Sequence, residues 1–191
     1  MSRPGHKEAL LDAAKRLLRE RGYARITARD LVAASGTNLA SIGYHFGSKE
    51  ALLNDAIGAS FAEWTHRITE VALAEPDLPP LSRLMTSWRA MIDDFDSARP
   101  YFVAFLEALA QAERSPELRA QLATHYDDLR RDVGEAVAEV IGGEDADVLA
   151  SFMIAVGDGL LIQSFLDAAR SPSADALEGA LGRGLAAALG G

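Results

Sequence analysis

The chain has no cysteine, which excludes disulfides and thiolate metal sites and agrees with a reducing compartment. Proline is scarce, seven in 191 residues, and gathers at a few junctions. Strand-like alternation of apolar and polar residues occurs nowhere, so the predicted class is all-α. Met1 to Ala9 carry no apolar core region, and no secretory signal is expected. Glycine-rich phosphate loops and nucleophile motifs are also missing. His6, His45, His66 and His125 are scattered, with no pair at metal-ligand spacing. Asp93, Asp94 and Asp96 crowd together, but no calcium-loop spacing follows them, and a solvated turn accounts for the cluster. The expectation is a protein with no catalytic residues, no metal and no cofactor, and not an enzyme.

Lysine is rare, and its placement is informative. Lys7, Lys15 and Lys49 are the only three, all near the start. Residues 1–60 hold nine Lys and Arg against six Asp and Glu, a net +3; residues 61–191 hold ten against twenty-two, a net −12. The total of −9 alone argues against nucleic acid. A basic head on an acidic body reverses that reading, because the head can meet phosphates while the body stays clear.

The most informative stretch is Thr27 to Lys49, TARDLVAASGTNLASIGYHFGSK. Thr27 and Asp30 form a helix-start box, and Gly36 supplies the left-handed stop. Thr37 and Asn38 cap a second helix, Leu39 to Phe46, with Ile42 and Phe46 facing inward and Ser41, Tyr44 and His45 outward. Two short helices about a Gly-containing turn make a helix-turn-helix pattern. The run SIGYHFGSKEALL resembles the signature of the tetracycline-repressor (TetR/AcrR) family of bacterial transcriptional regulators. The motif covers about the first quarter of the chain; the rest resembles the family in length and helical layout. Gly43 departs from the pattern, standing where the family usually carries Tyr or another side chain. A mid-helix glycine costs ~1 kcal/mol relative to Ala, and here it removes a phosphate-contacting hydroxyl.

Around this motif the chain reads as helices. Leu10, Leu11, Ala14, Leu17 and Leu18 recur at helical spacing, with Lys15, Arg16, Arg19 and Arg21 opposite and Gly22 as the stop. That basic face suits either phosphates or plain solvation. Ser48 opens a long connecting helix over about 48–74. Five further helices follow: Leu81–Phe95, Tyr101–Ala112 after an acidic turn and Arg99-Pro100, one opened by Ser115-Pro116-Glu117, one over Asp147–Ala169, and a last one opened by Ser171-Pro172-Ser173. From Val148 to Leu166 the fourth of these is apolar nearly all round, which calls for burial on every side. Asp158 and Gln163 within the run and its acidic flanks weigh against a membrane span. The expected organisation is a three-helix DNA-binding domain over 1–48 and a helical effector-binding and dimerisation domain over 49–191.

For DNA readout, Leu39 and Ala40 suit thymine methyls, Ser41 and His45 base edges, and Tyr44 a backbone phosphate, beside Asn38. Thr27 and Lys49 lie beside helix N-termini and suit phosphates. Arg29 matches a family position that reaches a base or phosphate. The resemblance also implies a small-molecule effector site in the second domain. Trp88, Met91, Phe95, Phe102, Phe105, Tyr126, Phe152 and Met153 are its candidate apolar lining, with Glu107, Gln111, His125 and Gln163 as polar partners; plain core is the competing reading for each. The two C-terminal helices lack visible cover, which predicts a two-fold homodimer through Leu161, Phe165, Leu177, Leu181 and Leu185. The function expected is ligand-responsive transcriptional control on a palindromic operator in double-stranded DNA, in the cytoplasm and without a membrane. The alternative is an all-α small-molecule binding protein with a vestigial head, favoured only by Gly43.

Overall fold

The structure is a computed structural model describing the backbone of residues 5–189 and the side chains of residues 5–80 and 82–184. Among the described residues it is helical throughout: α1 His6–Arg21, α2 Ala28–Ser35, α3 Leu39–Phe46, α4 Lys49–Leu73, α5 Pro80–Asp93, α6 Phe95–Ala112, α7 Pro116–Ile141, α8 Ala146–Leu166 and α9 Ala174–Leu189. A 3-10 turn, Tyr23–Arg25, joins α1 to α2.

The ends of the first helices follow from local chemistry. Glu8 Oε2 accepts from Gly5 N–H at 3.2 Å at the start of α1, and Gly22, with φ +71°, ends it. Thr27 and Asp30 satisfy each other's free N–H groups at 2.9 and 3.2 Å, and Gly36 closes α2 at φ +68°, where a side chain would be strained. Asn38 Oδ1 accepts from Ser41 N–H at 3.1 Å to open α3. Ser48 Oγ does the same for Ala51 at 3.0 Å to open α4.

The chain packs as two compact units: Met1–Trp64 with Ala98–Leu129, and Thr65–Ser97 with Arg130–Gly191. Packing therefore divides elsewhere than at residue 48, and α4, α6 and α7 each contribute residues to both units. The core of the first unit gathers Leu10, Leu17, Leu18, Tyr23, Ile26, Leu31, Ile42, Leu52, Leu53 and Ile57, closed by Ala104, Ala108, Ala112 and Leu122. Three alanines one turn apart let α6 approach closely. Within this core the Tyr23 hydroxyl donates to Asn54 Oδ1 at 3.2 Å; burial, with Glu50 and Glu107 nearby, pushes its pKa up. Gln121 Nε2 on α7 donates to Ala51 O at 2.9 Å and to Asp55 Oδ1 at 2.5 Å. His125 pairs with the same Asp55 oxygen at 3.5 Å. A Cβ added to Gly58 would meet the His125 ring at 2.5 Å, so glycine is what lets the imidazole lie there.

In the second unit Trp88, Phe95, Val137, Val140, Ala150, Leu160 and Leu161 are buried. Buried Arg83 donates from Nε to Ala72 O at 2.8 Å, a cation on the last carbonyls of α4. Arg89 holds α9 through Asp175 and, at 2.6 Å, Glu178.

Two expectations change. The helix expected from Tyr101 begins at Phe95, with Pro100 inside it. Phe95, Ala98 and Phe102 are all buried, and their packing offsets the one backbone bond that Pro100 cannot donate. Also, among the described residues, α8 is not covered on every side. Val148, Phe152, Ala155, Ile162 and Leu166 are exposed with half-buried Gly159 among them, one stripe at three- and four-residue spacing along the helix.

Candidate nucleic-acid interface

The eight residues of α3 divide cleanly. At about 3.6 residues per turn, Ser41, Ile42, His45 and Phe46 share one face, and Leu39, Ala40, Gly43 and Tyr44 share the other. The first face packs inward, with Ser41 and Ile42 buried and His45 and Phe46 half-buried. The second is exposed, with Leu39 at 54% and Tyr44 at 85%. Two such side chains standing in water at the two edges of one short face are unusual for a solvated helix.

Ser41 requires a correction. It was expected outward, but it is only 7% exposed. Its hydroxyl donates to Asn38 Oδ1 at 3.3 Å and lies 3.1 Å from His6 Nδ1 at the start of α1. Ser41 is thus a small polar contact that seats α3, and it does not face outward to a base edge. Asn38 spends its oxygen on the same cap. His45, also expected outward, is half-buried on the packed face, where it stacks edge-on with Tyr44, ring centroids 4.8 Å apart, and braces that exposed ring. Gly43, opposite the packed face, would meet nothing within 4 Å if it gained a Cβ. It sits inside an unbroken helix, so the glycine does not interrupt α3.

The flank of α3 is polar. Thr27 Oγ1 donates to Asp30 Oδ2 at 2.6 Å, and Arg21 reaches the other Asp30 oxygen at 2.8 Å. The Thr27 hydrogen bonds and then Arg21 hold the Asp30 carboxyl below its usual pKa. Lys49 Nζ donates to Ile26 O at 3.2 Å and pairs with Glu50 at 3.2 Å. Arg29 is exposed and makes no hydrogen bond or ion pair among the described residues. The basic face of α1 is largely committed inward: Arg16 donates to Ala34 O at 3.0 Å, Arg21 holds Asp30, and Lys15 pairs with Glu63. The first two contacts fix α2 against α1 and the third ties α1 to α4; no local pattern reveals them, because each partner lies on another helix.

The candidate effector residues fall into separate groups. Phe102, Phe105 and Tyr126 belong to the first unit. Phe105 lies 5.7 Å from Tyr126 and 6.2 Å from Phe61, centroid to centroid, and 6.4 Å from Phe102. Glu107, expected as a ligand partner, instead accepts from Ala24 N–H at 2.9 Å. Trp88, Met91, Phe95 and Met153 belong to the second unit, where Met91 Sδ packs toward Gly157. Phe152 joins neither group, being 62% exposed on the α8 stripe. Of the expected interface residues, Leu161 is 5% exposed and is core within its own chain, because it lies on the side of α8 away from the stripe. Phe165 and Leu181 are exposed and Leu177 is half-buried; the Leu185 side chain lies outside the described residues.

Residues 10–56 match the family described as bacterial regulatory proteins, tetR family, and residues 80–190 match the BetI-type transcriptional repressor, C-terminal family. The chain is 28% identical to the HTH-type transcriptional regulator BetI of Rhizobium meliloti, over 87% of this chain and 81% of that protein. It is 24% identical to the HTH-type transcriptional repressor DhaR of a Mycobacterium species, over 90% and 88% of the two chains. The solved structure of multidrug binding protein EbrR complexed with imidazole superposes with a TM-score of 0.66, covering 95% of each chain at 22% identity. The two family matches together span most of the chain, and the chain belongs to the TetR family of bacterial transcriptional regulators.

Proposed function

We propose that this regulator is a repressor that binds a palindromic operator as a homodimer in the cytoplasm. It leaves that operator when an apolar or amphipathic small molecule enters the helical body over 49–191. The observation that carries the reading is the α3 face: Leu39 and Tyr44 stand in water on the basic head, and Arg29 on α2 is exposed and unpaired among the described residues. Major-groove DNA is the partner that uses such a face, through base edges and methyls in the groove and phosphates along its walls. The α8 stripe supports the homodimer, since an exposed apolar face on a soluble helix calls for a copy to cover it. The same helix is long and apolar enough to cross a membrane, at a mean hydropathy of 1.7. Asp158 and Gln163 within it and acidic neighbours favour the dimer.

The effector reading draws on EbrR, which is named as a multidrug binding protein, and on the aromatic and Met side chains of the second unit, Trp88, Met91, Phe95 and Met153. A ligand held there acts by favouring one placement of α4, and with it one spacing of the two α3 helices of a dimer; half-site spacing on DNA is fixed. A hundredfold preference supplies ~2.7 kcal/mol per site, and operator DNA then weakens ligand binding by the same factor. The test selects a duplex from random-sequence DNA with the full chain, then titrates hydrophobic compounds with and without it, following Trp64 and Trp88 fluorescence. A palindromic site and a ligand whose affinity drops when operator is present support the reading. No sequence preference, or ligand affinity indifferent to operator, contradicts it.

A further inference from the structure

Of the polar groups of α3 that the sequence offers for base edges, Ser41 is spent on packing and half-buried His45 lies on the packed side of the helix. Ser41 is buried on Asn38 and His6, and Asn38 Oδ1 caps the helix. What remains outward is Leu39, Ala40, Gly43 and Tyr44, and Gly43 has open space where its side chain would be. The two middle positions of this face are thus the two smallest residues, flanked by a large apolar side chain at one edge and a ring with a terminal hydroxyl at the other. We infer that Gly43 is a specificity-determining position: it lets the α3 backbone settle close to the groove floor, so that Leu39 and Ala40 read thymine methyl groups.

This inference rests on the DNA-binding reading and names the chemistry that α3 recognises. A helix that reads by hydrogen bonds needs long polar side chains to bridge the gap to base edges. A helix that reads methyls needs the opposite, short residues and van der Waals contact, because dispersion falls off steeply with a gap of even half an ångström. Gly43 and Ala40 permit that contact, Leu39 supplies the apolar surface, and the Tyr44 hydroxyl, beyond the small residues, is placed for a phosphate. Direct hydrogen-bonded readout then falls to Arg29.

The test uses the full chain and a duplex selected from random-sequence DNA. Each thymine in a half-site is replaced in turn by deoxyuridine, which deletes only the methyl. At one or two positions affinity should fall roughly fourfold per methyl, the worth of a buried carbon. Leu39→Ala should lose a similar factor on the thymine duplex and lose nothing further on the uridine one. Gly43→Ala has room in the free protein and favours helix, so folding should be unimpaired by circular dichroism and thermal melting. It should nonetheless weaken the selected duplex about tenfold or more while leaving binding to scrambled DNA unchanged. Specific binding that ignores every uridine and tolerates Gly43→Ala overturns this inference and leaves the operator reading standing. Absence of any selected sequence overturns both.

Discussion

Two helices of this protein, α3 and α8, present grouped apolar side chains to water, and they do so in opposite electrostatic settings. On α3 Leu39 and Tyr44 stand out from a head whose first sixty residues carry a net +3. On α8 Val148, Phe152, Ile162 and Leu166 stand out from a remainder that carries −12. The apolar exposure is alike, but the surrounding charge selects different partners. A short apolar strip framed by Arg and Lys suits a polyanion with methyl groups in its groove. A five-turn apolar stripe framed by carboxylates repels that polyanion and suits a second copy of itself. Exposed hydrophobic area says that something binds; the charges around it say what.

The comparison breaks most visibly on α8. Phe152→Arg puts a charge on the stripe at a site already open to solvent, so the fold should survive. Sedimentation should then show monomers, and operator affinity should fall at least about a hundredfold as two linked half-site contacts become one. A monomeric mutant that keeps full operator affinity would separate the two faces and undo the proposed dependence of one on the other.

On α2, Arg29→Ala should leave sedimentation unchanged and cost ~1–3 kcal/mol of discrimination at one base pair, as a lost bidentate guanine contact does. Competition against duplexes varied at each position measures it. Equal loss at every position would recast Arg29 as a phosphate contact. Tyr44→Ala comes next, and should weaken selected and scrambled duplexes alike, by less than Arg29→Ala weakens its own base pair. Its position at the rim predicts a uniform effect, with no single base pair singled out.

These expectations draw on different amounts of the sequence. The limits of α2 and α3 are legible because Thr27 with Asp30, Gly36, Asn38 and Gly47 act on neighbours within a turn. The orientation of Ser41 is not, because its partner His6 lies 35 residues away, and a small polar residue fits either face of a helix. The start of α6 was hidden by Pro100, whose local cost is outweighed by burial of Phe95 and Phe102, contacts that only the folded chain supplies. For α8 the obstacle is of another kind. A helix apolar on all sides has no phase, so its sequence announces burial without saying which side the chain itself covers; Leu161 and Phe152 look alike until the packing is known.

The smallest expected effect concerns the inner packing of the head. Burial raises the pKa of Asp55, and hydrogen bonds from His125 and Gln121 outweigh it, leaving the carboxyl below its ordinary value. A depressed folded-state pKa gives stability that is present above the unfolded value, ~3.9, and is lost as pH falls through the folded one. Asp55→Asn should therefore be less stable than wild type at neutral pH, with the gap closing on acidification below about pH 4. Denaturant midpoints across that range measure it. A gap that stays constant would mean that the carboxylate charge contributes nothing.

The central claim is that the α3 face reads DNA as one half of a pair formed through α8. Sedimentation velocity of the full chain with a fluorescently labelled selected duplex tests it directly, because mass and binding are read together. The account predicts a dimer in the absence of DNA and two protomers per duplex in its presence, with a scrambled duplex left unshifted at the same salt. A monomer in either state, or equal shifts of both duplexes, would contradict it.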